Sequence, residues 1–550
     1  MRRLLFLSPI AAALTAMVFW ALAQPAPQPI SSLFPAGAVL YLEAKDFGSL
    51  LADWNGSAEK RDWLASANYD SFSRSQLFLK LGDAQTQFAM AAGVPPDYAL
   101  LTSVAGSNSA IAIYDIGKLE FLYITHVPSA RAMNTSLWKT RGTYQTRHAG
   151  SADYFVKEDK PSHRVAAFAY SGDSLVLATK EELIAGALRL MAREALPSVA
   201  SETWFANSVA AAAPGPSDLR LVYNMASLAR TYPFRSHWVQ SNVPELRQFS
   251  AGLADLERAR GEIRERRVLL RASPEDATDS NEGATGQLLG AVPDDAGLYR
   301  AWLRPSGLQA SQWVEEKMFP AATGAAPQSK SAPVVAETQD AGSEIDLESR
   351  IDERPITESR DSFKALRDQL VAARIEAMLD VSSTRVDADQ VFVQPHSAIA
   401  LLANTAWNAD AIRAAVGAAA EGIWSNSATA TWRAGAVREL EGLGTLAMAS
   451  DGKWLLIGDS AEMVNAVFAR RNRTALAGAA YAAGWRHARE LPNFERMTKL
   501  IDFPQMPEPP FFSGNLASLG RTLKRVDDVT IIVHDAGTML RESVVYKLNP

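Results

Sequence analysis

The stretches SGDSLVLATKEELIAGAL (171–188) and DGKWLLIGDSAEMVNAVF (451–468) decide the fold. Each has a glycine suited to a turn, then a short apolar run typical of a strand, then apolar residues at helical spacing. The same order of elements occurring twice, far apart in one chain, predicts that a single structural unit has been repeated.

Three further pairs of segments match in the same order along the chain. They are LFPAGAVLYLEA (33–44) with AVPDDAGLYRAW (291–302), YNMASLART (223–231) with GNLASLGRT (514–522), and ERARGEIRERRVLLR (257–271) with HDAGTMLRESVVYKL (534–548). In the second pair six of nine positions are identical. We interpret the chain as a tandem duplication and expect the matched segments to superpose, with Gly261 and Gly537 each closing a final hairpin.

Composition along the chain divides it into the following predicted segments. They are a signal peptide at 1–23, a Pro-rich lead at 24–30, copy one at 31–272, a polar linker at 273–286, and copy two at 287–550 with a disordered acidic insertion at 321–360. The insertion is rich in Ala, Pro, Ser and acidic residues, and such a composition buries too little apolar surface to order itself.

The predicted elements indicate an α+β fold. A strand, a turn at Asp115-Ile-Gly-Lys118 and a second strand form a hairpin over 110–126, and helices are predicted at 69–92, 180–191 and 461–470. Because helices fall between hairpins and not after every strand, the pattern favours antiparallel sheets over a doubly wound parallel sheet. We therefore expect two similar domains, each with a largely antiparallel, curved sheet and helices packed on one side.

Composition excludes several classes of protein. The chain has no cysteine, which rules out disulfides, thiolate metal sites and lipid-modified cysteine. Its formal charge of −6 would become −8 if a signal carrying Arg2 and Arg3 were removed. A mildly acidic chain has no electrostatic footprint for nucleic acid, so we expect no nucleic-acid partner.

The N-terminus is typical of an export signal. Arg2 and Arg3 precede an almost entirely apolar run from Leu4 to Leu22, and Ala21-Leu22-Ala23 has the small residues of a cleavage site. The alternative is an uncleaved membrane anchor, since the run approaches the length of a span. Cleavage would leave a chain without a membrane span, located in the periplasm or secreted.

Linear motifs for catalysis are incomplete. No G-x-S-x-G occurs, and Gly117-Lys118 and Gly452-Lys453 lack the remainder of a phosphate loop. Ser57–Lys60 and Ser136–Lys139 satisfy S-x-x-K, but the Lys-Ser/Thr-Gly motif that accompanies it in penicillin-binding enzymes is missing. The sequence names no catalytic, cofactor-binding or metal-ligating residue and predicts no cofactor.

The histidines give no metal-binding pattern. They are His126, His148, His163, His237, His396, His487 and His534. No two stand at the spacing of a metalloprotease helix, and zinc needs three or four converging ligands. We interpret them as ordinary surface or hairpin histidines.

Three sets of residues could bind a ligand or serve the fold. The first is an arginine-dense hairpin in which Arg258, Arg260, Arg264 and Arg266 are expected on one face, where they would either bind polyanions or form a solvated hairpin or charged edge strand. The second is the tryptophans, which could line a groove or fill the core. The third is the repeated Asn224 and Asn515, expected to cap strand-to-helix turns.

The tryptophans outside the signal are Trp54, Trp63, Trp138, Trp204, Trp238, Trp302, Trp313, Trp407, Trp424, Trp432, Trp454 and Trp485. Indoles spread this evenly along a chain are usually packed in cores and sheets, so we favour a structural role for most of them.

The segment 33–54 carries a resemblance to a known family. An apolar lead, a proline, a strand ending near an aromatic residue and a short helix occur there in that order. With the later hairpin and the N-x-x-S-L turn, the chain resembles two tandem copies of a family of exported bacterial proteins known as domains of unknown function. The resemblance implies export and an α+β sheet domain, and it implies no catalytic residue.

The sequence therefore predicts an exported, non-catalytic two-domain protein of the cell envelope. Its expected partner is an unidentified envelope component or an apolar ligand. The alternative is an envelope enzyme with an active site assembled from dispersed residues, which would appear as a deep pocket holding at least two ionisable groups with perturbed pKa values.

Export can be tested directly. N-terminal sequencing of protein recovered from the periplasm or the medium should begin at Gln24, because cleavage is expected after Ala23. Recovery of the chain with Met1 intact in a cytoplasmic fraction would contradict the prediction.

Overall fold

The computed structural model describes the chain with gaps. The described residues are 28–66, 69, 72–74, 76–213, 215, 217–231, 246–275, 282–319, 361–386, 393–421, 432, 435, 437–440, 446–475, 479–501 and 524–549. The predicted signal at 1–23, the insertion at 321–360 and the repeated segment 514–522 lie outside them.

Helices and strands alternate in the order expected for an α+β chain. The α-helices are α1 Phe47–Gly56, α2 Ala58–Leu64, α3 Gln76–Ala92, α4 Tyr98–Val104, α5 Ser129–Ala132, α6 Ser136–Lys139, α7 Glu181–Met191, α8 Thr203–Ala211, α9 Met225–Leu228, α10 Glu282–Ala291, α11 Gly307–Met318, α12 Lys364–Ala372, α13 Ala409–Ala420, α14 Ala461–Ala469 and α15 His487–Ile501. Short 3-10 helices occupy Ile30–Leu33, Arg141–Thr143, Val199–Ser201 and Asp361–Phe363.

The strands are β1 Leu40–Asp46, β2 Ser107–Asp115, β3 Glu120–His126, β4 Gln145–Ala149, β5 Ala152–Asp159, β6 Arg164–Ser171, β7 Ser174–Ala178, β8 Leu219–Tyr223, β9 Phe249–Ala259, β10 Glu262–Arg271, β11 Leu298–Leu303, β12 Ile375–Arg385, β13 Gln394–Ala403, β14 Arg438–Leu440, β15 Leu446–Asp451, β16 Trp454–Gly458, β17 Tyr481–Trp485, β18 Val526–Asp535 and β19 Met539–Leu548. The predicted hairpin over 110–126 and the predicted helices at 180–191 and 461–470 are confirmed to within a few residues.

The described residues fall into two compact units. One comprises Met1–Gly48 with Gln85–Ala206, and the other comprises Ser49–Ala84 with Asn207–Pro550. This division does not follow the predicted copies at 31–272 and 287–550, so the predicted two-domain boundary is not confirmed. The reason is strand pairing, since β8, β9 and β10 of copy one belong to the sheet of the second unit.

The first unit contains an antiparallel sheet in the order β1-β2-β3-β7-β6-β5-β4. On one face Phe168 packs with Leu100, Leu137 and Tyr144. Helix α7 contacts strands β3 to β7 through an apolar stripe that includes Ile184 and Leu188.

The second unit contains an antiparallel sheet in the order β8-β9-β10-β19-β18-β17-β11-β12-β13-β16-β15-β14. Every neighbouring pair in this order is antiparallel. The prediction of a largely antiparallel sheet is confirmed.

Helices cover both faces of the second unit's sheet where β11, β12, β13, β15 and β16 lie. Alternate residues of β12 show this: Ala377 and Leu379 pack with α10 and α14, whereas Met378 packs with α11, α12 and α13. Because successive strand residues point to opposite faces, two separate apolar cores result. The expectation of helices on one side was wrong, since these strands are apolar on both faces.

The order of strand pairing is the same in the two units. The order β1-β2-β3-β7-β6-β5 in the first unit corresponds to β11-β12-β13-β16-β15-β14 in the second. In the first unit Tyr41 pairs with Ala112, Ala112 with Leu122, and Leu122 with Ala178. In the second unit Tyr299 pairs with Val381, Val381 with Ala398, and Ala398 with Gly458.

This register links two sequence matches that were made independently. One match aligns Tyr41 with Tyr299, and the other aligns the strand 174–178 with 454–458. In each unit the same number of strand pairings leads from the matched tyrosine to the last residue of the matched strand. A slip of one residue anywhere along that succession would have separated them and turned a core face to solvent.

One sequence match, that of 223–231 with 514–522, is not tested by the described residues. The strand that occupies the place of β8 in the second unit is β17, and it is followed directly by α15 rather than by a four-residue helix like α9. The segment 514–522, matched to 223–231 by identity, lies well beyond α15 and outside the described residues.

The predicted linker at 273–286 overlaps a helix. Helix α10 begins at Glu282, and Ala284 and Leu288 are buried against the sheet. The Thr285 hydroxyl donates to the carbonyl of Ala479 at 2.7 Å. The polar stretch therefore extends only over 273–281, and the apolar residues of α10 follow it.

A buried ion pair fixes α11 to the sheet. Lys317 Nζ lies 2.7 Å and 2.6 Å from the two carboxylate oxygens of Asp380, whose side chain has 0% exposure. The ammonium also lies 5.8 Å from the ring centroid of Trp313. Removing one member of such a pair leaves an uncompensated charge in the core.

The substitution Lys317→Met should lower the free energy of unfolding of the second unit by about 3–5 kcal/mol. The double variant Lys317→Met/Asp380→Leu should recover most of the loss, because an apolar pair of similar volume avoids the desolvated carboxylate. Denaturant unfolding followed by tryptophan fluorescence measures both.

The matched control is Arg413→Met, which breaks an ion pair with Asp410, a side chain with 83% exposure in the same unit. Its effect should stay below about 1 kcal/mol. Equal losses of unfolding free energy in Lys317→Met and Arg413→Met would show that the buried ion pair of Lys317 with Asp380 contributes no more than an exposed one.

Candidate functional site

A cavity of about 330 Å³ lies beneath helix α15 in the second unit. The strands β11, β12, β13 and β17 form its floor, and α15 forms its roof. Its lining residues are Leu298, Ser382, Ser383, Thr384, Val393, Pro395, Trp485, His487, Glu490, Asn493, Phe494 and Met497. The volume is within the range of small-molecule sites, roughly 300–1,000 Å³.

The sequence of α15 explains how it covers the cavity. His487, Glu490, Phe494 and Met497 recur at intervals of three or four residues and therefore share one face of the helix. Pro492 lies inside the helix, where it removes one backbone donor from the helical ladder. The face that carries these four side chains is the one turned to the strands.

Hydrogen bonds between α15 and β12 hold the roof in place. Glu490 Oε2 accepts from the backbone N–H of Thr384 at 3.0 Å and also from the Thr384 hydroxyl. The Asn493 amide donates to the Thr384 carbonyl at 3.1 Å and to its hydroxyl oxygen at 3.0 Å. The remaining oxygen of Glu490 contacts the guanidinium of Arg489.

Glycine is required beside this contact. A Cβ at Gly297 would overlap the carboxylate of Glu490, and a Cβ at Gly484 would overlap the ring of Tyr299. The backbone of Gly297 is also used twice, accepting from Arg486 N–H at 2.8 Å and donating to Ser382 at 3.0 Å. The approach of α15 to the strands depends on these two glycines.

His487 is the principal polar group of the cavity. Its exposure is 3%, its ring centroid lies 4.4 Å from that of Trp485, and among the described residues neither ring nitrogen has a hydrogen-bond partner. Burial lowers the pKa of His487 below its ordinary value, with Asp527 opposing the shift weakly. At neutral pH the imidazole is uncharged and can both donate and accept one hydrogen bond.

Ser383 borders the cavity through the backbone of β12, whereas the side chain of Ser382 shares the cavity face with Leu298. The Ser383 side chain has 4% exposure, and among the described residues its hydroxyl has no hydrogen-bond partner. The other walls are largely apolar, formed by Leu298, Trp485 and Phe494 among others. An apolar cavity with a small number of polar groups is the arrangement common in small-molecule sites.

A second cavity lies elsewhere in the same unit and has a different character. It has a volume of about 440 Å³ and includes Arg470, Arg473, Arg486 and Asp294 in its lining. Arg470 binds Asp294 through two hydrogen bonds and lowers the pKa of that carboxyl, and Arg486 donates to three backbone carbonyls. Leu298 and Tyr299 place the two cavities on opposite faces of the sheet, because successive residues of a strand alternate.

A third cavity of about 400 Å³ lies beside Arg304, Arg374, Glu376 and Asn404. It is more polar than the cavity under α15. Of the three cavities, the one under α15 has the most apolar walls.

The histidines were predicted to be ordinary surface or hairpin residues, and for His487 this was wrong. His148 and His163 do pair with Asp153 and Glu158 at the surface, and His396 lies near Asp459. Among the described residues no three His, Asp or Glu side chains come together as a metal site. His237 lies outside those residues.

The arginine-dense hairpin is an interior pair of strands in the second unit. Strand β10 pairs with β9 on one side and with β19 on the other, so it is not the charged edge strand that was one expectation. Arg258 pairs with Ile263 and therefore lies on the opposite face from Arg264 and Arg266. The expected alignment failed because the turn at 260–261 reverses the chain between them.

Carboxylates neutralise much of this arginine cluster. Arg264 binds Glu262 at 2.7 Å, Arg266 binds Glu257 at 3.2 Å, and Arg267 binds both Glu265 and Glu542. Arg271 binds Asp535 at 2.8 Å. These interleaved partners make the cluster part of the sheet's own structure.

Most described tryptophans contribute to packing. The rings of Trp302 and Trp313 lie 5.2 Å apart, and Trp138 contacts Phe155 at 5.7 Å. Trp485 alone among the described tryptophans lines the cavity under α15. Asn224 caps α9 by accepting from the N–H of Ser227 at 3.0 Å, as predicted; Asn515 lies outside the described residues.

The missed site residues had a weak signal. Histidine at the first position of α15 follows the strand YAAGW, and the spacing of His487, Glu490, Phe494 and Met497 is that of a helix with a buried face. That spacing could have placed His487 inside. Nothing local to Ser382 distinguishes it from the other serines of the chain.

Comparison with known proteins yields little. No family model and no curated protein matches the chain. Two solved structures, crystal forms I and III of TP0453, are similar at TM-scores of 0.26 and 0.25 with 14% and 11% identity. Each comparison covers 46% of this chain and 82% of the other. TM-scores this low establish neither a shared fold nor a shared function.

No helix in the described part of the chain combines the length and the apolar character that a membrane span requires.

The burial of His487 gives a pH dependence with a defined sign. Its pKa in the folded state is below the unfolded value of about 6.5, so the unfolded chain binds the proton more readily. The stability that neutral His487 contributes is complete above about pH 6.5 and falls as the pH drops. The loss should not exceed about 1.4 kcal/mol per pH unit.

The substitution His487→Gln should remove this contribution, so the difference in unfolding free energy between wild type and variant should change between about pH 7 and pH 5. His163→Gln is the control, because His163 is a surface side chain with 83% exposure. A constant difference between wild type and His487→Gln across that range would contradict a buried neutral imidazole.

Proposed function

We propose that the protein is an exported, non-catalytic binding protein of the cell envelope that holds a small apolar ligand under α15. The observation that carries the proposal is the cavity of about 330 Å³ with largely apolar walls and the buried, unpartnered His487. Such a cavity gains free energy by transferring apolar ligand surface out of water, at roughly 25 cal/mol per Å².

Size limits what the ligand can be. The cavity is about twice as large as the ~150 Å³ apolar cavity that binds benzene in an engineered protein. Two fused aromatic rings or a short hydrocarbon chain match this volume. A ligand of this size is consistent with the expected apolar ligand and with an envelope location, which the proposed signal at 1–23 supports.

Binding is favoured over catalysis by the state of the ionisable groups. His487 and Glu490 both line the cavity. The Glu490 carboxylate accepts hydrogen bonds from Thr384 and Arg489, and His487 forms no hydrogen bond with Glu490 or with any other described residue. A general acid or base is normally held by a second group that orients it. Since no second group among the described residues orients the His487 imidazole, a proton relay between His487 and Glu490 is not supported.

The proposal includes a tandem origin for the chain. The shared strand order and the shared register between the two units support it, together with the matched pairs at 171–188 and 451–468. The ligand cavity belongs to copy two, where a long helix follows β17.

Binding can be tested with N-phenyl-1-naphthylamine, an uncharged fluorophore that brightens in apolar surroundings. Wild-type protein should enhance its fluorescence saturably, and Met497→Glu should weaken binding by about tenfold or more, because a carboxylate at the mouth must be desolvated against the probe. Met497 has 38% exposure, so the substitution should leave the fold intact.

Leu308→Glu is the matched control, since Leu308 is an exposed apolar residue on α11 away from the cavity. Its affinity should equal that of wild type. Absence of saturable enhancement, or equal weakening in both variants, would contradict a ligand site under α15.

A further inference from the structure

We propose that the second cavity, of about 440 Å³, binds a small organic phosphate monoester through Arg473 and Arg486. The inference goes beyond the proposed function, because this cavity lies on the opposite face of the sheet from the one under α15. It follows from three features of the cavity: an excess of arginine over acidic residues, the fixed backbone around the arginines, and an apolar wall beside them.

The lining of this cavity carries more positive than negative charge. Its charged residues are Arg470, Arg473, Arg486 and Asp294, so three guanidinium groups face one carboxylate and the net charge is +2. Arg470 is the member that binds Asp294, through both carboxylate oxygens. Among the described residues Arg473 forms no ion pair, and Arg486 donates to backbone carbonyls. Two guanidinium charges therefore remain to meet an anion.

Strand alternation directs Arg486 to this cavity. It follows β17, where Ala482 lines the cavity and Trp485 lies on the face turned to α15, so the side chain at 486 returns to the face of Ala482. Its Nη1 is held by three backbone carbonyls of the segment 293–296, at 2.7–2.9 Å. Its Nε and Nη2 have no partner among the described residues, and neither atom is shut off from solvent. One edge of a held guanidinium is thus open to an oxyanion.

Close packing fixes the backbone of Arg473 where the chain leaves α14. A Cβ at Gly290 of α10 would lie 2.4 Å from the Arg473 carbonyl oxygen, so glycine is needed for this approach. The Arg473 N–H donates to the Arg470 carbonyl at 2.8 Å. Hydrogen bonding to Arg470 is the main reason that the pKa of Asp294 is lowered, and the charge of Arg473 adds to it. The Arg473 guanidinium therefore lies near the Asp294 carboxylate without binding it.

Neighbouring carboxylates outside the lining have cations of their own. Asp295 binds Arg385 at 3.2 Å, and Asp528 lies 4.0 Å from Lys547. The excess charge of the cavity is thus left for a ligand. A phosphate monoester carries a charge of about −1.5 to −2 at neutral pH and presents three acceptor oxygens, which matches two guanidinium groups better than a carboxylate does.

An apolar wall beside the arginines sets the remainder of the ligand. It is formed by Leu289 and Val292 at the end of α10 and by Tyr299, Ala482 and Ile532 of the sheet. Inorganic phosphate would leave this wall in contact with water, whereas an ester group covers it and gains free energy from the apolar surface that both bury. An ester with one aromatic ring or a short hydrocarbon chain fits the volume.

The experiment is isothermal titration calorimetry of the full chain at about pH 8, where a phosphate monoester is doubly ionised. The ligands are phenyl phosphate, inorganic phosphate and benzoate. Wild-type protein should bind phenyl phosphate saturably, and about tenfold or more tightly than benzoate, because the second charge and third oxygen add charge-assisted hydrogen bonds. It should bind inorganic phosphate more weakly than phenyl phosphate.

Variants of opposite charge effect assign the binding to the cavity. Arg473→Gln should weaken phenyl phosphate binding by about tenfold or more, the effect of one charged hydrogen bond. Asp294→Asn should strengthen it by about threefold or more, because a like charge beside the phosphate is removed. Arg473 is exposed and Asp294 has 87% side-chain exposure, so both variants should fold.

Arg260→Gln is the matched control, because Arg260 is an exposed arginine at the turn between β9 and β10 and does not line the cavity. Its affinity for phenyl phosphate should equal that of wild type. Equal weakening in Arg473→Gln and Arg260→Gln would overturn the site in favour of general charge attraction, and so would the absence of saturable binding. Tighter binding of benzoate, or of inorganic phosphate, would overturn the ligand class. An affinity lowered by Asp294→Asn would overturn the assignment of Arg473 and Arg486. None of these outcomes alters the test of the apolar cavity under α15.

Discussion

The pairing of β10 with β19 is the interaction on which the second unit depends. Nine consecutive residue pairs join the closing hairpin of copy one to the closing hairpin of copy two, from Glu262 with Lys547 to Leu270 with Met539. Arg267 bridges the strands by binding Glu265 on its own strand and Glu542 on the other. Without this seam, β8, β9 and β10 would have no place in the sheet that carries the ligand cavity.

The same seam has an internal symmetry. The matched segments 257–271 and 534–548 bring Arg266 opposite Ser543, and these two are equivalent positions in the match. The pairs on either side are related by the same symmetry. Glu265 pairs with Val544 and Arg267 pairs with Glu542, and in the match Glu265 is equivalent to Glu542 and Arg267 to Val544. An antiparallel contact between equivalent strands is the arrangement that a two-fold symmetric dimer would have before its subunits were joined in one chain.

Much of the local structure followed from sequence periodicity. The strand and helix at 174–191 and at 454–469 were predicted almost to the residue, because a glycine turn, an apolar run and a helical stripe each act over a few residues. The unit boundary was not predictable in this way. It depends on which strands pair across hundreds of residues, and the polar stretch at 273–281 gave no sign that the chain on either side shares a sheet.

The candidate site also depends on strand pairing that local sequence does not predict. Trp485 and the helical face of α15 leave a trace in the sequence, but Ser382 and Leu298 reach the cavity only through the register of β11, β12 and β17. Helices were expected on one side of the sheet because the strands were taken to be half-buried, with polar and apolar residues alternating along each strand. Strands such as β12, apolar on both faces, required both sides to be covered.

The length difference between α9 and α15 makes the two halves of the chain unequal. In the part of the chain that the structure describes, the four-residue helix α9 follows β8, whereas the fifteen-residue helix α15 follows β17 and roofs the cavity. If both halves descend from one ancestor, recognition now resides in the later half, and the earlier half serves as its structural support. Substitutions should then accumulate more freely at Leu40 and Ile113, which pair in β1 and β2, than at their counterparts Leu298 and Ser382, which line the cavity.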